Sequence, residues 1–280
     1  MRTIEFNEVV EATARLCEEA NFELEPDVEA AIKNAVARET SPTGRDILGL
    51  LLENAAIAAR DRVPICQDTG IMVVFVKCGE EVRVVGGGLT EAITQGVREG
   101  YGRGYLRKSV VGDPIIRKNT GDNTPAVIHF EQVAGDALKI SVMPKGAGSE
   151  NMSALRMLKP AEGLQGIKRF ILETVEKAGP NACPPLTVGV GIGGTMEKAA
   201  LLSKEALLRE VGVRHEDPEV AALEEEVTVL INGTGFGPGG LGGRITTLGV
   251  HIEVFPTHIA MLPVAVNLNC HAVRHKTVIL

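Results

Sequence analysis

The stretch Cys66-Gln67-Asp68-Thr69-Gly70-Ile71-Met72-Val73-Val74-Phe75-Val76 divides the chain into two kinds of sequence. Its first five residues are short or polar and end on glycine, as in a loop. Its last six are apolar without alternation, which reads as a strand covered on both faces. Everything before it reads helical. Residues 4–20 place Val9, Val10, Thr13, Leu16, Cys17 and Ala20 at helical spacing, and Pro26-Asp27 opens a second helix to about Arg38. Ser41-Pro42-Thr43-Gly44 reads as a loop. Asp46 reads as the cap of a third helix that buries Ile47, Leu48, Leu51, Leu52, Ala55 and Ala58. Residues 1–62 are therefore expected to form a helical N-terminal segment.

After this stretch, strands and helices mix. Gly86-Gly87-Gly88 leads into a helix over residues 89 to about 103. Residues 126–130 and 138–142 read as two strands joined by a tight turn near Gly135-Asp136. Pro160 opens a helix to residue 178, residues 186–192 form a buried strand, and a helix follows through residue 208. Asp217-Pro218 starts a helix to about residue 231, and two last strands cover residues 245–254 and 260–268. The expected fold class is α/β (mixed α+β): the helical segment, then mixed β-sheets covered by helices. No Pro/Gly/Ser-rich linker and no internal repeat divides residues 1–280, which read as one domain.

Composition excludes several classes. Hydrophobic residues make up 44% and charged residues 23%, an ordinary globular balance that rules out a disordered chain. The formal net charge is −7 and aromatics are 3% with no Trp, so a basic, base-stacking nucleic-acid surface is not expected. The longest low-charge run, residues 254–270, is interrupted by Pro256, His258 and Pro263, so no membrane span is expected. The N-terminus lacks the apolar core of a secretion signal, which makes the cytoplasm the expected location. Five cysteines without such a signal argue against structural disulfides.

Two stretches match G-x-G-x-x-G: Gly189-Val190-Gly191-Ile192-Gly193-Gly194 and Gly235-Phe236-Gly237-Pro238-Gly239-Gly240. The first is not followed by a strand ending in an acid about 20 residues on, and the second has no helix after it, only strands, so close backbone packing is the favoured reading over a dinucleotide site. Among the cysteines, Cys17 lies on an apolar helix face and Cys78 follows a strand, as inert thiols do. Cys66, Cys183 and Cys270 instead sit in loops at element ends, where sites are built. There is no C-x₂₋₄-C pair for a structural zinc. Three loop thiols can hold a cubane iron–sulfur cluster with one iron open, or they can be unrelated.

Eight words then fall in a characteristic order. They are Cys66-Gln67-Asp68-Thr69-Gly70, Tyr105-Leu106-Arg107, Asn119-Thr120-Gly121-Asp122-Asn123, Lys145-Gly146-Ala147-Gly148-Ser149-Glu150-Asn151, Asn181-Ala182-Cys183-Pro184-Pro185, Gly191-Ile192-Gly193-Gly194-Thr195, Phe255-Pro256-Thr257-His258 and Asn269-Cys270. Over nearly its whole length the chain resembles the alpha, or N-terminal, part of class I (iron–sulfur) fumarases, and likewise the alpha subunits of L(+)-tartrate dehydratases. The resemblance implies a 4Fe-4S cluster on Cys66, Cys183 and Cys270 with one open iron. It implies that Gln67, Asp68, Arg107, Gly148 and Asn151 meet the substrate, with Asp68 and His258 as the proton-transferring pair. Each has a plainer reading: Asp68 as a turn residue, Arg107 as part of a solvated face, His258 as a core histidine. The family word reads Lys-Gly-Gly-Gly-Ser, and Ala147 replaces its middle glycine here.

Single-chain members continue into a domain that supplies further cations. This chain stops ten residues after Cys270. The resemblance therefore implies a beta subunit as partner and a dimer of alpha–beta pairs. The implied reaction is reversible hydration of a small dicarboxylate, fumarate to L-malate, with tartrate dehydration as the alternative. An iron–sulfur electron carrier or sensor and a nucleotide-dependent oxidoreductase are the more distant ones.

Overall fold

The computed structural model describes residues 2–280. In chain order its first elements are β1 (Arg2–Glu5), α1 (Phe6–Phe22), α2 (Pro26–Arg38), α3 (Pro42–Asp61), β2 (Ile71–Gly79), β3 (Val82–Val85), α4 (Leu89–Arg103), β4 (Val127–Val133) and β5 (Leu138–Lys145). Then come α5 (Ala147–Asn151), β6 (Ala154–Leu158), α6 (Gly163–Ala178), β7 (Leu186–Gly193), α7 (Met196–Glu205), α8 (Pro218–Asn232), β8 (Thr247–Phe255), β9 (Leu262–Asn269) and β10 (Lys276–Ile279). The architecture is mixed α/β, as the sequence reads. Among the described residues no helix is long and apolar enough to cross a membrane.

The chain forms two compact units, each discontinuous in sequence. The first takes in the described residues up to Leu24, then Asn54–Ala147 and Arg274–Leu280. Its sheet has the order β10-β5-β2-β4, with β2 parallel to β4 and antiparallel to β5. Met72, Val74 and Val76 of β2 join Val9, Val10, Leu16 and Cys17 of α1 and Ile93, Val97 and Tyr101 of α4 in one core. Val73 and Phe75, on the opposite face of the strand, are also buried. That double burial is why the strand shows no alternation.

The second unit comprises Glu25–Glu53 and Gly148–Val273. Its sheet has the order β6-β9-β7-β8. Apolar residues of α6 and α8 pack with Val188, Val190, Ile252, Val264 and Val266. The glycines alternating with Val188 and Val190 admit α7 on the other face. A methyl added at Gly189 would lie 2.1 Å from the Ser203 carbonyl oxygen, and one at Gly191 2.0 Å from that of Ala199. The first glycine motif is thus a helix–strand packing device, as its plainer reading has it.

Several local expectations are corrected. Residues 126–130 and 138–142 do not pair as a hairpin, because β2 lies between β4 and β5. The β4–β5 connection instead crosses the end of β2, where Gly79 and Glu80 N–H donate to Ala137 and Val133 carbonyls. Ser41 is not in a free loop: its hydroxyl accepts the Gly44 N–H at 3.2 Å, Pro42 takes the first turn of α3, and Asp46 lies inside the helix. Pro160 opens a short 3₁₀ turn, Pro160–Glu162, ahead of α6. A strand, β1, precedes the helices, and β10 follows Cys270 and pairs with β5.

Candidate active site

In the first unit the site is built on the segment between α3 and β2. The Asp68 N–H points at Cys66 Sγ (3.4 Å), and the Cys66 thiol reaches Gln67 Oε1 (3.4 Å). The Asp68 carboxylate is held at both oxygens. Oδ1 accepts the Gly70 N–H at 3.0 Å and Oδ2 the Ala147 N–H at 2.8 Å. The turn reading of Asp68 therefore holds for Oδ1 alone, since the second bond crosses to the end of β5. Thr69 donates its hydroxyl to the Arg107 carbonyl at 3.0 Å, which brings the fourth predicted residue of this unit to the same loop. Gln67 and Arg107 are exposed, with Cys66 and Asp68 half-buried. Lys145, 1% exposed, ends β5 opposite Ile71.

Four residues that sequence reasoning missed hold this loop. Arg274, 3% exposed, donates to the Asp68 carbonyl at 2.8 Å and to Asn21 Oδ1 at 3.1 Å. The Asn21 carbonyl in turn accepts the Ile65 N–H, one residue before Cys66. The Tyr101 hydroxyl donates to the Thr69 carbonyl at 2.6 Å, and burial pushes its pKa up, so it stays a donor. Asn123, at φ +62, donates to the Gly70 carbonyl and accepts the Ser109 and Val110 N–H groups. Only Asn123 lies inside one of the recognisable words. The other three stand at helical or terminal positions with no local signal.

In the second unit Cys183 follows a 3₁₀ turn, Gly179–Ala182, and takes a left-handed conformation at φ +57. Its N–H donates to the Pro180 carbonyl, and its own carbonyl accepts the His271 N–H at 3.3 Å. That bond joins the Cys183 loop to the Cys270 loop. The second glycine motif packs onto the same place. Gly239 N–H donates to the Pro184 carbonyl, and a methyl on Gly240 (φ +72) would sit 2.3 Å from Pro180 Cβ. Its far end is anchored by Glu39, 3% exposed, whose carboxylate accepts the N–H groups of Thr40, Ser41, Arg244 and Ile245. Burial pushes the Glu39 carboxyl up, and these backbone donors outweigh it and hold the pKa below the usual range.

Gly148, in α5, faces the Asn181 carbonyl of the Cys183 turn. Asn151 is exposed at the end of α5 and borders a separate depression with Met152, Arg156 and Phe170. His258 is exposed rather than a core histidine. Its Nδ1 accepts the Ala260 N–H at 3.2 Å, and it lines a pocket with Gly194, Thr195, Lys198 and Phe255.

None of the five cysteines is in a disulfide. Cys17 is fully buried and burial raises its pKa, as it does for Cys78. Cys66, Cys183 and Cys270 are accessible in loops. Among the described residues no group of three or more His, Cys, Asp or Glu is arranged around a single metal ion. Three accessible thiols suit a polynuclear iron–sulfur group by donor chemistry.

Comparison with known proteins gives the family. The fumarate hydratase (Fumerase) family model matches residues 10–279. A protein of Methanocaldococcus jannaschii, provisionally assigned as an L(+)-tartrate dehydratase subunit alpha, is 43% identical over 277 residues, 95% of each chain. The L(+)-tartrate dehydratase subunit alpha of Escherichia coli (strain UTI89) is 35% identical, covering 97% of this chain and 90% of its own. That of Escherichia coli (strain K12) is 34% identical over 98% and 91%. The chain belongs to the fumarate hydratase (Fumerase) family of hydro-lyases.

Proposed function

We propose that the chain is the alpha subunit of an iron–sulfur hydro-lyase that adds water reversibly to fumarate, giving L-malate, and that it works with a beta-type partner in a dimer of alpha–beta pairs. One observation carries this reading: a carboxylate, Asp68, fixed at both oxygens beside Cys66, with Arg107 tied to the same loop through Thr69. Cys66, Cys183 and Cys270 are the residues that would hold a 4Fe-4S cluster. When bound, such a cluster supplies a Lewis-acidic iron with an open coordination position.

The chain's own residues have distinct tasks. The exposed Arg107 guanidinium pairs with a substrate carboxylate through a planar two-point fork, and stabilises charge that builds there as the neighbouring carbon loses its proton. Asp68, with His258 as its partner, carries the proton to and from the hydroxyl that leaves or enters. Gln67, Gly148 and Asn151 supply amide and backbone contacts to the rest of the substrate. No residue of this chain is assigned as the carbon base.

Dehydration of L(+)-tartrate to oxaloacetate is the second reading, favoured by the names of the relatives. It uses the same groups on a substrate with one more hydroxyl. The test is anaerobic reconstitution of the chain with its beta-type partner, followed by assay on fumarate, L-malate and L-tartrate. Turnover of fumarate and malate is expected. Turnover of tartrate alone would select the second reading, and turnover of none would overturn both.

A further inference from the structure

We infer that the projecting loop over residues 105–119 is the docking surface for the partner subunit, an inference that rests on the two-subunit reading above. The loop is braced by its own hydrogen bonds. Val111 and Asn119 form a bridge, Gly112 N–H donates to the Lys118 carbonyl, and Asn119 Nδ2 donates to the Lys108 carbonyl at 2.9 Å. At the tip, Asp113 Oδ1 accepts the N–H groups of both Ile115 and Ile116 at 2.7 Å. This framework holds the neighbouring side chains of Ile115 (89% exposed) and Ile116 (79%) in water, and Tyr105, at the start of the loop, is 93% exposed. Adjacent large apolar side chains held out from a hydrogen-bonded loop mark a contact site.

Charge says what kind of partner fits. The same segment carries Arg107, Lys108, Arg117 and Lys118, all exposed, on a chain whose net charge is −7. None of the four makes an ion pair among the described residues. A second copy docking here across a two-fold axis would set these cations against themselves. The complementary surface is instead apolar at its centre and acidic at its rim, on a different chain. The loop is also continuous with the candidate site. Asn123 Oδ1 holds its Ser109 and Val110 N–H groups while Nδ2 holds the Gly70 carbonyl, and the Arg107 carbonyl takes the Thr69 hydroxyl. A chain seated on the loop therefore borders the position where a substrate carboxylate meets Arg107.

The test measures binding of the full chain to its beta-type subunit, without reference to activity. Ile115→Asp/Ile116→Asp is expected to weaken the Kd by at least about thirtyfold, the range of central apolar anchors. Arg117→Glu/Lys118→Glu is expected to weaken it by about tenfold at low salt, with the difference shrinking as ionic strength rises. Both variants keep wild-type melting temperatures as isolated chains, since neither side-chain pair is buried there. Should the first variant melt early, Ile115→Ser/Ile116→Ser carries the same comparison. Wild-type affinity in a normally melting apolar variant overturns the inference. So does loss of a self-dimer rather than of the mixed complex. If the beta-type chain fails to bind the wild type at all, the two-subunit reading fails first and takes this inference with it.

Discussion

Between Ile65 and Gly70 the backbone is held by side chains that reach in from elsewhere in the first unit. Asn54 donates to the Ile65 carbonyl, Arg274 to that of Asp68, Tyr101 to that of Thr69 and Asn123 to that of Gly70. Around Cys183, in the second unit, the supports are backbone and shape: a proline-flanked turn, a left-handed residue, and glycines that let another loop lie against Pro180. The difference matches what each loop has to present. On the proposed reading Asp68 has to point a carboxylate in one direction, which takes several directional bonds. On the same reading Cys183 and Cys270 only have to offer sulfur at an accessible loop, which a fixed loop path achieves.

The largest effect is expected where direction and chemistry coincide. Asp68→Asn keeps the shape but turns one acceptor into a donor, facing either the Gly70 or the Ala147 N–H. With the partner subunit present, kcat should fall by about 10²–10⁴ with a small change in KM, as for loss of a proton-transferring group. Unchanged kcat would remove Asp68 from the mechanism. Cys66→Ser, Cys183→Ser and Cys270→Ser should each abolish stable iron binding on anaerobic reconstitution. Cys17→Ser and Cys78→Ser should bind iron as the wild type does. Full iron content in any of the first three would sink that ligand's assignment.

A pH titration separates the two units. His251, on β8 of the second unit, is 3% exposed, and burial first, then the nearby Arg209, brings its pKa down to about 4. Its folded pKa is below its unfolded value of about 6.5, so the unfolded chain binds the extra proton. The resulting stability is present above about pH 6.5 and is lost as pH falls toward 4, amounting to roughly 3 kcal/mol. His251→Leu should flatten the stability–pH curve in that window. An unaltered curve would show that other groups carry the acid sensitivity.

Two smaller substitutions compare the modes of support directly. Arg274→Met leaves the Asp68 carbonyl and Asn21 Oδ1 without their donor and should destabilise the chain by about 2 kcal/mol in denaturant unfolding. Tyr101→Phe removes one hydroxyl bond and leaves the ring packed, so about 1 kcal/mol is expected. If Tyr101→Phe costs more than Arg274→Met, the loop leans more on the Tyr101 hydroxyl than on the Arg274 guanidinium.

Much was legible in the local sequence. Periodicity and Pro/Asp signals place α1, α2, α4 and α8 close to their observed bounds, and the unbroken run at Ile71 marks a doubly covered strand. The words around Cys66, Cys183 and His258 mark loops whose side chains are accessible, because chemistry at loop ends requires particular residue types side by side. Partnership at long range was not legible. Nothing local says that β2 inserts between β4 and β5, because strand pairing depends on which distant edge a strand meets. Nothing local singles out Arg274 or Asn21 either. Each looks like an ordinary terminal or helical residue until folding buries it against Asp68 and Ile65. Which residues are candidates for the chemistry can be read in short words because reactivity belongs to side-chain types. What holds them in direction was decided only by tertiary structure, because a hydrogen bond from Arg274 to Asp68 spans most of the chain and exists only once both are buried together.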